Sequence, residues 1–323
     1  MKPSVLCPVD FSTASRAALL YAAALAEHFG SELVVMTAND PLLAEAAAMD
    51  STPARVREET RTELKRFAAQ TVERRLKGSE IVFEVATGQP APEILRVARE
   101  RGSGLIVISS HGLTGFRKMF FGSTTERVLR ETPMPVLVVP GDARGPASLE
   151  EAAGSVRRVL APVLPAGNGR QLAVVRAIAD ALGVSAILLH VVEPVRAVLP
   201  KSDYYLPSIE QERRARAEAE LAALAAGAPG LEPLIAYGEP AEEIVKVARD
   251  RGVGLIVMSL QGSSLPGARI GSVTYRVLCA ARTLVLALPP APATREKFRG
   301  AGKNTARRSA ARAAKPITRS AKR

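Results

Sequence analysis

The chain has 323 residues, with 44 Lys and Arg against 32 Asp and Glu, a formal charge of +12, and a hydrophobic content of 47%. That apolar content can bury a sizeable core and excludes a wholly disordered chain, and no apolar run approaches the roughly 18 residues of a membrane span. The charge is local: residues 291–323 hold eleven basic residues and one acid, Glu296, so they carry +10 and residues 1–290 only 12 − 10 = +2.

In chain order, Ser4–Val9 is a short apolar run that predicts a strand buried on both faces. The residues around it, Met-Lys-Pro-Ser-Val-Leu-Cys-Pro-Val-Asp, lack the long apolar core of a secretory leader. A helix is expected over Ser15–Phe29, capped by Ser12 or Thr13 and stopped by Gly30. A strand at Leu33–Thr37 leads into a loop-like segment, Pro41–Thr52. Then come a helix over Pro53–Lys77, a strand at Ile81–Val85, and a helix over Pro90–Arg101 stopped by Gly102. A strand at Leu105–Ser109 runs into a glycine-bearing segment, Ser109–Thr124. A helix over Thr124–Glu131 and a strand at Val136–Val139 follow. This strict alternation predicts right-handed crossovers and a parallel sheet with helices on both faces.

The plan then repeats. Residues 88–112, GQPAPEILRVARERGSGLIVISSHG, match residues 238–262, GEPAEEIVKVARDRGVGLIVMSLQG, at 16 of 25 positions without a gap. Cys7-Pro8-Val9-Asp10 likewise corresponds to Ala161-Pro162-Val163-Leu164. A period of 150 residues is a whole domain rather than a solenoid unit. Strands of the second copy are expected near Val156–Pro162, Ala186–Val191, Leu234–Ala236, Leu255–Ser259 and Leu284–Leu288, with a loop-like segment at Pro194–Pro207. The copies join at Gly141–Ser148, rich in Gly, Pro and small residues, as linkers are. The expected organisation is a first domain over 1–141, a linker over 142–154, a second domain over 155–290 and a disordered basic tail over 291–323. The tail has too little apolar surface to offset its chain entropy.

In a doubly wound sheet, ligands sit outside the carboxyl ends of the strands, where strand order reverses. Asp10 follows the first strand. The segment after the fourth strand carries Ser109, His111 and Gly112, and ends in Gly122-Ser123-Thr124 at a helix start. Such a turn offers backbone N–H groups, hydroxyls and the positive end of a helix dipole, which suits phosphate. Each piece has a plainer explanation: Asp10 and Ser123-Thr124 as helix caps, His111 as a satisfied polar residue at a strand end. The combination at adjacent strand ends is the specific signal.

The first copy resembles the universal stress protein family through Val5–Ser12, Gly88–Arg101, Leu105–Gly112, Gly122–Arg130 and Pro135–Pro140. The nucleotide-binding members carry the pattern G-x2-G-x9-G-[S/T]. Here its positions are Ser109, Gly112, Gly122 and Ser123, with the spacing intact and serine in place of the first glycine. The resemblance implies two tandem doubly wound α/β domains of five parallel strands, ordered 3-2-1-4-5, of the adenine nucleotide alpha hydrolase-like kind. It implies ATP as ligand, with or without Mg. Asp10 would stand at the ribose, backbone near Thr37 at the adenine, and Gly112, Gly122, Ser123 and Thr124 at the phosphates. The second copy has Leu164 where Asp10 stands, and its loop, Ser259 to Gly262 to Gly271-Ser272, is one residue shorter and contains Pro266. A degenerate, mainly structural half is expected. The resemblance also implies that Val136–Val139 and Leu284–Leu288 pair edge to edge as an internal pseudo-dimer, with a dimer of whole chains as a further option.

No catalytic set is legible. His28, His111 and His190 show no metal spacing with Cys, Asp or Glu, and neither a nucleophile elbow nor a Walker loop occurs. Slow ATP hydrolysis is the most that is expected, and an ATP-binding sensor or regulator of a stress response is the first reading. The alternative is a dimerisation or interaction protein without nucleotide, tethered to nucleic acid by residues 291–323 through counterion release. Cys7 and Cys279 make no disulfide framework and suit buried thiols in a reducing cytoplasm.

Overall fold

The computed structural model describes residues 2–42, 52–72, 80–112, 122–164, 169–194, 207–227, 230–260 and 271–290. The expected tail, most of the segment between Gly112 and Gly122, and most of the two long loop-like segments lie outside them. The strands are β1 Ser4–Pro8, β2 Leu33–Asn39, β3 Ile81–Thr87, β4 Ser103–Ser109 and β5 Val136–Val139 in the first half. In the second half they are β6 Arg158–Pro162, β7 Ser185–Val192, β8 Leu231–Tyr237, β9 Leu255–Ser259 and β10 Leu284–Leu288. The helices are α1 Thr13–Phe29, α2 Pro53–Val72, α3 Pro90–Glu100, α4 Ser123–Glu131 and α5 Leu149–Ser155, then α6 Gly169–Leu182, α7 Pro207–Ala226, α8 Pro240–Asp250 and α9 Ser272–Ala280.

The strands form one ten-stranded sheet in the order β3-β2-β1-β4-β5-β10-β9-β6-β7-β8. Each half is parallel with the order 3-2-1-4-5 counted along its own chain. At the centre β5 and β10 pair antiparallel, with Val138 opposite Val285, Leu137 opposite Leu286 and Val136 opposite Ala287. The internal pairing implied by the resemblance is therefore present. It covers two apolar edges that would otherwise recruit foreign strands.

The period-2 alternation of the strands divides the core into two layers. Val5, Cys7, Leu33, Val35, Val107, Leu137 and Val139 face α1 and α2, and Val159, Leu188 and Val257 continue that layer against α6 and α7. Leu6, Val34, Met36, Ile106, Ile108, Val136 and Val138 face α3 and α4, and Leu160, Ile187 and Ile256 continue that layer against α8 and α9. Both layers run through the β5–β10 junction without a break.

Local chemistry explains the element ends. Ser12 caps α1 by accepting the Ser15 N–H at 3.1 Å. Gly30 closes α1 in the left-handed region at φ 56°, its N–H directed to Ala26 and Glu27 carbonyls. Pro233 suggests a shorter β8, yet the strand spans seven residues. Gly238 donates to Val192, so the even-numbered residues of β8 face β7 and Pro233 faces outward, where an edge strand loses nothing by lacking an N–H. Strand β4 begins two residues before the expected start, because Ser103 pairs with Ser4 before a register shift. The segment expected as a linker is packed. Pro146 is buried, Ala143 packs on the core, Gly145 lies so close to Leu20 that a Cβ would overlap it, and residues 149–155 form a helix against α1. Its small apolar residues serve close packing on α1 rather than freedom.

Candidate functional site

The site begins with a gap in the sheet. Val5 and Val9 donate to carbonyls of the β2 side, Glu32 and Met36, so odd residues of β1 face β2 and even residues face β4. Pro8 therefore turns its N–H-less side towards β4, just past the last β1–β4 pair, Leu6 with Ile106. A proline at this point ends the ladder, and the two central strands part at their carboxyl ends.

Asp10 stands at the β1 side of that opening. Its Oδ1 accepts from the Ser12 N–H at 3.1 Å and the Ser12 hydroxyl at 2.6 Å. The capping residue is thus Ser12, and Asp10 braces the cap rather than being it. Its Oδ2 faces Gly112, where a Cβ would overlap that oxygen. Any side chain here would push the Asp10 carboxylate from this position. Phe11, between Asp10 and Ser12, has φ 63° and is the one non-glycine residue with positive φ among those described. For an L-residue that costs roughly 1–2 kcal/mol. The Phe11 ring meets the Phe67 ring of α2 edge to face, with centroids 5.5 Å apart.

The β4 side is built from hydroxyls. Ser109 is buried and donates to the His111 carbonyl at 2.8 Å, while the Ser109 carbonyl accepts from the Thr125 hydroxyl at 2.9 Å. Ser110 Oγ accepts the Gly141 N–H at 2.9 Å and lies 2.8 Å from His111 Nδ1. Gly122 donates its N–H to the Ser110 carbonyl at 3.0 Å, and a Cβ on Gly122 would sit 3.2 Å from that oxygen. The start of α4 is thereby pinned beside Ser110, two residues before the Gly112 that lies against Asp10. Gly122 is the N-cap and supplies no side-chain cap. The Glu126 N–H goes to the Gly122 carbonyl, which leaves the N–H groups of Ser123, Thr124 and Thr125 at a helix N-terminus, an anion-binding arrangement. Ser123 is exposed and Thr124 half-buried.

Thr37 is buried in β2 opposite Val85 of β3. The Asn39 carbonyl accepts from Gly88 and the Met36 carbonyl from Val9. By this alternation the Thr37 amide faces β3, and the next residue, Ala38, turns its backbone to the β1 side, beyond the last β1–β2 pair at Pro8 and Met36. The fold thus brings Asp10, Ser109, Gly112, Gly122, Ser123 and Thr124 to one end of the β1/β4 gap, with Thr37 one residue from the backbone that faces it. It did not single out Ser110, Thr125 or Gly141. Ser110 and Thr125 are polar residues at a strand end and in a first helical turn, and that was the available signal.

The second half closes its gap. Pro162 repeats Pro8, since Val163 donates to Leu189 and Pro162 faces β9. There the buried Gln171 of α6 sends its amide nitrogen to the carbonyls of Pro162 and Val257, both at 2.9 Å, and its oxygen accepts from Ser259 Oγ at 3.2 Å. The carboxamide bridges the two parted strands with all of these groups satisfied. Leu164, where Asp10 would stand, is exposed. Gly262 and Pro266 lie outside the described residues. Among the described residues no three of His, Cys, Asp and Glu gather into a metal site, and no helix is long and apolar enough to cross a membrane.

The sequence profile of the universal stress protein family matches residues 1–140 and again residues 155–289. The chain belongs to the universal stress protein family. A universal stress protein of Bacillus subtilis is 30% identical over 143 residues, 42% of this chain and 97% of that protein. One from Methanocaldococcus jannaschii is 27% identical over 154 residues, covering 43% of this chain and 95% of its own length. These relatives correspond to a single half. Among solved structures, a universal stress protein of Archaeoglobus fulgidus covers 89% of this chain and 98% of its own, with a TM-score of 0.64 at 20% identity. That likeness extends the fold across both halves of this tandem universal stress protein.

Proposed function

We propose that the first half of this universal stress protein binds ATP and acts as a nucleotide-dependent regulator or sensor of a stress response, while the second half is mainly structural. One observation carries the reading. Asp10, Gly112 and the uncapped N-terminus of α4 border the gap opened by Pro8, whereas the matching gap of the second half is bridged by Gln171. In this reading Asp10 meets the ribose, the backbone from Thr37 to Ala38 meets the adenine edge, and Gly112, Gly122, Ser123 and Thr124 surround the phosphates. Ser109, whose polar atoms are held by His111 and Thr125, shapes the turn. ATP brings a polyphosphate whose charge Mg can share, with Asp10 as the nearby carboxylate. These residues bind and orient, and none is assigned a role in cleaving the nucleotide.

Nucleotide extracted from the purified full chain, and ATP titrated into the emptied protein, test this directly. Wild type is expected to bind ATP. Gly122→Val, which crowds the Ser110 carbonyl at the start of α4, is expected to lower affinity tenfold or more, roughly one lost charged interaction. A wild type that neither carries nor takes up adenine nucleotide would leave the dimerisation or interaction reading in its place.

A further inference from the structure

The strained turn at Phe11 is held from outside the site. Phe67 is 5% exposed and lies between two partners. The Phe11 ring stands edge-on to it at an interplanar angle of 89°. The Arg16 guanidinium lies 4.5 Å from its ring centroid. Arg16 Nη1 also donates to Thr71 Oγ1 at 2.8 Å, and that hydroxyl donates to the Phe67 carbonyl at 2.7 Å. Arg16 in turn belongs to the first turn of α1, its N–H on the Ser12 carbonyl at 3.0 Å. Asp10, Ser12, Arg16, Phe67 and Phe11 therefore make a closed circuit of contacts, to which Phe67 contributes from the neighbouring helix α2. A left-handed φ at a bulky residue persists only when its surroundings over-determine it. Here the Asp10–Ser12 hydrogen bonds hold the backbone on either side of Phe11, and the Phe67 ring holds its side chain.

We propose that Phe67 is a positioning residue of the nucleotide site: by clamping the Phe11 ring it holds the left-handed turn that aims the Asp10 carboxylate at the ribose hydroxyls. This rests on the reading of Asp10 given above. Phe67 touches no ligand and acts through Phe11. Its loss should remove recognition of the ribose hydroxyls and leave the phosphate contacts at Gly122 to Thr124 in place.

The experiment compares ATP with 2′,3′-dideoxy-ATP, which lacks the hydroxyls, by calorimetric titration of the full chain. Wild type is expected to prefer ATP by about tenfold, the size of one hydrogen bond to a charged group. Asp10→Ala should erase the preference. Phe67→Leu, which keeps apolar volume but not the ring, should erase most of it while changing dideoxy-ATP affinity less than about twofold. The double variant should lose nothing beyond Asp10→Ala. Leu64→Val, a buried change on the same helix that leaves both rings in place, should keep the preference. Phe11→Leu attacks the clamp from its other side and repeats the measurement should Phe67→Leu unfold. An undiminished preference in Phe67→Leu and Phe11→Leu, an equal loss for both nucleotides, or losses that multiply in the double variant would overturn the proposal while leaving ATP binding intact. A wild type that binds no ATP would overturn the underlying reading as well.

Discussion

Asp10 shows how one residue serves a fold and a site together. One carboxylate oxygen accepts two hydrogen bonds from Ser12, the cap of α1, and the other faces Gly112 across the gap. Asp10→Ala is therefore expected to lower the unfolding free energy by about 1–2 kcal/mol, through loss of support for the cap, and to weaken ATP binding as well. Thermal unfolding and titration of the same sample separate the two effects, and a loss of stability alone would make Asp10 a brace only. Cys7 offers a test of a different kind. Complete burial pushes its thiol well above the ordinary range. The folded state thus holds its proton after the unfolded chain has released it. Stability is full below the unfolded thiol value of about 8.5 and falls as pH rises beyond it, by up to about 1.4 kcal/mol per unit. Cys7→Ala should flatten that alkaline slope in denaturant titrations at several pH values. At this scale the sequence spoke through residue types, so Asp10, Gly112 and Gly122 were legible. The Phe11–Phe67 contact was not, because it joins residues 56 positions apart (67 − 11) and depends on a backbone angle that no pattern announces.

The elements were legible wherever composition and periodicity agreed. The alanine face of α1, with Ala14, Ala17, Ala18 and Ala22 buried, allows close packing on the sheet. The strand ends were harder to read. Pro233 reads as an interruption and is an outward-facing residue of an edge strand. Pro8 falls inside an expected strand and Pro162 at the end of one, and their physical effect is to end the β1–β4 and β6–β9 ladders. The residue that decides the fate of the second gap is Gln171, which looks like any polar residue near the start of a helix. Gln171→Leu should cost about 1–3 kcal/mol, since it strands the carbonyls of the buried Val257 and the half-buried Pro162. Denaturant unfolding checks this, and a change below about 0.5 kcal/mol would mean that the bridge is not holding β6 to β9.

At the scale of the molecule, the two copies make one sheet and two shared core layers. Residues 1–290 are therefore expected to unfold in a single cooperative transition, and Val285→Glu at the β5–β10 junction should lower its midpoint sharply by burying an unpaired charge. Two well-separated transitions in calorimetry would show the halves to be independent. The +10 of residues 291–323 is a property of composition. In the alternative reading of the sequence these residues tether the chain to nucleic acid, and a chain ending at residue 290 should then lose salt-dependent retention on DNA and keep its ATP affinity. Equal retention with and without those residues would remove that role. One open gap and one bridged gap in a tandem chain set the stoichiometry of ATP binding, which a titration of the full chain measures. One ATP per chain is expected, whereas two per chain, or none, would show that the two gaps do not differ in this way.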